Sequence, residues 1–109
     1  MPHIIVEHTR DIENVADMLR DLHACLAGQD TFDIDTLKTR SVALNHVVIA
    51  DGTCTSMVHI TVKLLPGRGD ALLHKMTSDL RSIALNYVSS LTTKTTVESV
   101  ELHKESYQK

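Results

Sequence analysis

The chain has 109 residues, a size that fits one domain with one modest core. Hydrophobic residues make up 42%, but the aromatics are confined to Phe32, Tyr87 and Tyr107, so the core must be aliphatic and base-stacking platforms for nucleic acid are lacking. A net charge of −3 also argues against a nucleic-acid partner, and no apolar run approaches membrane-spanning length.

The first strand is read over residues 3–8, where a β-branched run follows Pro2. Asp11 is placed to cap a helix running to about Gln29, with an apolar stripe through Ile12, Val15, Ala16, Met18, Leu19, Leu22, Cys25 and Leu26, and with Gly28 as its stop. Residues 30–36 are polar and read as a connection. Residues 37–49 read as a long strand with room for a bend, and Asp51-Gly52 is a strong hairpin signal before the clearest strand of all, 56–64. There Val58, Ile60, Val62 and Leu64 line one face, and Met57, His59, Thr61 and Lys63 the other. Pro66-Gly67-Arg68-Gly69 breaks that strand, and a second helix is expected from Asp70 to about Leu91. A last strand is placed at 96–103, followed by a charged tail expected to fray.

The order is βαββαβ, two βαβ halves alike in layout but not in residues, joined by the hairpin. It predicts an α+β protomer with two helices packed on one face of a four-stranded mixed sheet, a single domain over 1–109. The other sheet face is too mixed for a monomer core and too apolar in places for free solvent, which points to a homo-oligomer. No basic region precedes the short apolar run at the start, so no signal peptide is read. Cys25 and Cys54 match no metal or redox spacing and are expected as free thiols of a cytoplasmic protein, Cys25 in the core.

Three cations stand near strand ends and turns. Lys38 and Arg40, two apart on one strand, point to one face; Arg68 sits just before a helix, where its fork and the helix N-terminus can share a carboxylate. Seven histidines show no metal spacing, and His59 is read as structural. Arg68-Gly69-Asp70 spells an adhesion tripeptide, which without a secretion signal is a coincidence. The start of the chain carries a further possibility. If Met1 is removed, the first strand begins with a proline bearing a free secondary amine, fixed by the sheet and able to lose its proton near neutral pH when held in an apolar cavity among cations. With Met1 in place that nitrogen is a tertiary amide without a proton or useful basicity.

Taken together, Met1-Pro2-His3-Ile4-Ile5-Val6-Glu7, Arg40, Ala50-Asp51-Gly52, Val58-His59-Ile60-Thr61-Val62-Lys63, Gly67-Arg68 and Glu101-Leu102-His103 resemble, in consistent order, the 5-carboxymethyl-2-hydroxymuconate isomerases of the tautomerase superfamily. The resemblance implies a homotrimer, no cofactor and no metal, a small anionic dicarboxylate as substrate, and Pro2 as the catalytic base. It assigns the substrate carboxylate to Arg68 and a second cationic role to Lys38 or Arg40. Two departures stand out. Lys38 occupies a position where an arginine is expected, and Ala43 and Val47 stand where aromatics are expected, which predicts a wider pocket. Two other readings remain at this point: a ferredoxin-like ligand-binding module with the same element order, and a trimeric interaction protein that kept the scaffold without the chemistry.

Overall fold

The computed structural model describes residues 1–29 and 31–109. Strand β1 (His3–Thr9) leads through helix α1 (Val15–Ala27) and a 3-10 turn (Ile34–Thr36) to β2 (Lys38–Leu44); β3 (Ser56–Leu64) leads through α2 (Asp70–Ala84) to β4 (Thr93–Glu101). The sheet order is β2-β1-β3-β4. β1 runs parallel to β2 and antiparallel to β3, and β3 runs parallel to β4.

Alternation decides which face is buried. Ile4 and Val6 of β1 and Val58, Ile60, Val62 and Leu64 of β3 are almost wholly buried, against Met18, Leu22 and Leu26 of α1 and Met76, Leu80 and Ala84 of α2. Both helices therefore cover one face of the mixed sheet. The opposite face carries His3, Ile5 and Glu7 beside Met57, His59, Thr61 and Lys63, all half-buried. His59 there bonds Thr96 Oγ1 at 2.7 Å and Glu98 Oε2 at 2.5 Å on the neighbouring strand, the structural role expected of it.

The strand order corrects one expectation and excludes another. β2 and β3 are not hairpin partners: they flank β1, and Asp51-Gly52 is an isolated turn in which the Gly52 N–H donates to the Ile49 carbonyl at 2.9 Å. A ferredoxin-like sheet is built from a split βαβ. Here the two strands of each βαβ unit are direct neighbours, so the ferredoxin-like reading does not hold.

Element ends also differ from the sequence expectation, for tertiary reasons. The Asp11 carboxylate does not cap α1; it accepts a hydrogen bond from the Ser56 hydroxyl, and the helix starts only after Asn14, whose φ of 57° is a conformation Asn tolerates. β2 stops at Leu44 instead of 49, because its one partner, β1, ends at the paired Thr9. α2 stops at Ala84 instead of near Leu91, because the chain must reach Thr93 to pair with Ser56; Leu91 is left 92% exposed. Phe32, in the segment read as a polar connection, is buried in the core.

Candidate active site

The start of the chain is held as tightly as a strand should hold it. The Pro2 ring is fully buried, and its carbonyl accepts from the Lys38 N–H at 3.1 Å. The Met1 ammonium donates to the Thr36 carbonyl at 2.9 Å, and the Thr36 hydroxyl donates to the Met1 carbonyl at 3.0 Å. The Lys38 ammonium donates to that same Thr36 carbonyl at 3.1 Å. Burial first, and then the adjacent Lys38 charge, pushes the terminal amine below its ordinary pKa; Lys109 and Arg68 act the same way and Asp33 opposes them.

A cavity of about 410 Å³ opens beside Met1. Thr31, Asp33, Thr36 and Lys38 form one wall, Leu65 and Arg68 a second, and residues 107–109 a third. Arg68 is presented by a turn that needs glycine on both sides, with φ of 110° at Gly67 and 85° at Gly69. Its guanidinium lies over the Phe32 ring, 4.4 Å from the centroid, and donates to the Thr31 carbonyl at 2.6 Å. The Arg68 Nε is buried and finds no partner among the described residues. No described residue of α2 lines the cavity.

Lys38 and Arg40 share one sheet face, paired with His3 and Ile5, but only Lys38 lines the cavity. Arg40 instead donates to His3 Nδ1 at 3.0 Å, while His3 Nε2 lies 2.8 Å from the Tyr107 hydroxyl. The tail expected to fray is thus tied down. The Leu102 N–H donates to the Leu64 carbonyl at 2.8 Å, and a turn at 103–107 is closed by the Tyr107 N–H donating to the His103 carbonyl at 3.1 Å. Tyr107 and Lys109 are cavity residues that sequence reasoning missed. Ala43 and Val47 do not line the cavity. Ala43 lies on an edge strand and Val47 in the loop after it.

A buried start of chain, a Met1 amine of lowered pKa and a cavity where Lys38, Arg68 and Lys109 outnumber Asp33 can bind an anion next to an amine. The model of the 5-carboxymethyl-2-hydroxymuconate isomerase family matches residues 2–108. The chain belongs to that family. It is an isomerase. No curated protein sequence matches it. Among solved structures, a 5-carboxymethyl-2-hydroxymuconate isomerase from Deinococcus radiodurans R1 is similar at TM-score 0.89 and 18% identity, over 99% of this chain and 87% of that one. A 5-carboxymethyl-2-hydroxymuconate delta-isomerase is similar at 0.82 and 16%, over 100% and 87%. A fused wild-type 4-OT described as a symmetric trimer is similar at 0.66 and 15%, over 91% and 87%. These likenesses establish the fold. Among the described residues no group of three His, Cys, Asp or Glu could hold a metal ion, and no helix is long and apolar enough to cross a membrane.

Proposed function

We propose that this isomerase converts a 2-hydroxydienoate bearing a second carboxylate, such as 5-carboxymethyl-2-hydroxymuconate, to its 2-oxo isomer without a cofactor, using Pro2 as acid and base once Met1 is removed. The observation that carries the reading is the meeting of the chain start with Lys38 and Arg68 in one cavity. The Pro2 nitrogen takes the proton of the 2-hydroxyl. The oxygen's electron pair forms the C2 carbonyl, the conjugated double bonds shift, and the protonated amine returns the proton to the distal carbon. The amine ends as it began, so no oxidant, reductant or metal is required. Lys38 and Arg68 serve two purposes: they attract the two carboxylates, and positive charge near the amine disfavours its protonated form, the direction a proton shuttle needs.

The family match and the trimeric 4-OT relative support a homotrimer that buries the mixed sheet face. A trimeric interaction protein without chemistry would share that face but would not need an ionisable Pro2. An ultraviolet assay of methionine-free protein against 2-hydroxydienoates and enol pyruvates separates the two. Turnover of a dicarboxylated dienol is expected, and absence of turnover across the panel would overturn the proposed substrate class and the role of Pro2.

A further inference from the structure

The Arg40, His3 and Tyr107 side chains form one hydrogen-bonded chain that ends in the cavity. Its polarity follows from the chemistry of its members. A guanidinium can only donate, so His3 Nδ1 must be the acceptor of the Arg40 bond. The remaining ring proton then sits on Nε2, and His3 Nε2 donates to the Tyr107 oxygen. Burial first, and then the charges of Arg40 and Lys38, lowers the His3 pKa and keeps the ring in this neutral form. The Tyr107 oxygen is therefore occupied as an acceptor, and its own O–H has no other partner among the described residues. The ring is also set edge-on against His3, at 6.1 Å between centroids and 78° between planes.

Building on the anion-binding role proposed for this cavity, we infer that Tyr107 is a specificity-determining residue that donates its O–H to an anionic oxygen of the substrate, and that Arg40 and His3 are positioning residues that aim it. Arg40 thus acts through His3 and not by touching substrate. The three walls divide the work. Lys38 and Arg68 supply charge, whereas Tyr107 supplies a neutral, directed donor that discriminates ligands by the position of an oxygen.

The test is calorimetric titration of the Met1-free full chain with 2-oxoadipate, a 2-oxo dicarboxylate that has no double bond to shift. Tyr107→Phe keeps the ring and removes only the hydroxyl; it is expected to weaken binding about tenfold or more, the usual effect of losing a hydrogen bond to a charged group. His3→Leu is expected to give a similar loss, with no further loss in the double variant, and His3→Gln, whose amide can donate in place of Nε2–H, is expected to restore affinity. A purely structural role for His3 predicts losses that add. The inference is overturned if Tyr107→Phe binds like the wild type, if the two losses add, or if the wild type does not bind the probe. Turnover of a 2-hydroxydienoate, measured on the same samples, reports on the isomerase reading separately: an inactive protein whose probe binding still depends on Tyr107 would refute that reading and leave the assignment of Tyr107 standing.

Discussion

Arg68 is held by more than its charge. Its guanidinium stacks on Phe32 and bonds the Thr31 carbonyl, which leaves a planar fork fixed at the cavity wall. Arg68→Ala is expected to lower kcat/KM for a dicarboxylate by the cost of a lost charge-assisted bond, about 1.5–3 kcal/mol or roughly ten- to a hundredfold. Arg68→Lys should recover only part of it, because an ammonium neither stacks nor forks. Lys38→Ala should show a loss of the same order, since Lys38 lines the cavity, and Arg40→Ala a smaller one that disappears in a Tyr107→Phe background. Steady-state kinetics on these single variants, on Tyr107→Phe and on the Arg40→Ala/Tyr107→Phe double checks this pattern, and a wild-type value for both Arg68→Ala and Lys38→Ala would show the anion site to be elsewhere. Pro2, Lys38 and Arg68 stood out in the sequence because a chain start, a strand and a glycine-flanked turn mark them locally. Tyr107 did not, because its bond to His3 closes across 104 positions and leaves no periodic trace.

The elements follow the same division between local and distant causes. β1 and β3 are written plainly in alternating aliphatic residues, and both appear where expected. The ends of β2 and α2 are not, because the lengths of their partner strands set them. Burial ranks their sensitivity. Ile60, wholly buried on central strand β3, should cost about 2–5 kcal/mol on replacement by Ala, whereas Val48, 97% exposed in the loop after β2, should change stability by less than about 0.5 kcal/mol; urea denaturation measures both. The Asp11–Ser56 bond ties the segment before α1 to the start of β3. It holds the Asp11 carboxyl below its ordinary pKa, so its contribution to stability is present at neutral pH and is lost as pH falls through that lowered value. Asp11→Asn should therefore be less stable than the wild type at neutral pH, with the gap closing in acid, as thermal melts across pH would record.

At the scale of the whole molecule, the sheet has one face covered by helices and one left open, with Val42 on the edge strand β2 48% exposed. That imbalance was readable from alternation in β3 alone, although the strand order that arranges the face was not, since a hairpin signal at Asp51-Gly52 suggested a different neighbour for β3. Sedimentation is expected to find a species of three times the 12.1 kDa chain mass at micromolar concentration, with or without Met1. A stable monomer would contradict the homotrimer and any site completed between subunits.

The central claim is that the terminal nitrogen of Pro2 carries the chemistry. It is tested most directly by comparing protein with and without Met1 on a dicarboxylated 2-hydroxydienoate as pH is raised. The processed form should be active, with a rate that climbs through a single ionisation below that of a free secondary amine, because an amine at a buried strand start near Lys38 and Arg68 is disfavoured in its charged form. The form retaining Met1 should be folded and assembled but inactive, because its Pro2 nitrogen is an amide without a lone pair to offer. Equal activity in the two forms would contradict the account.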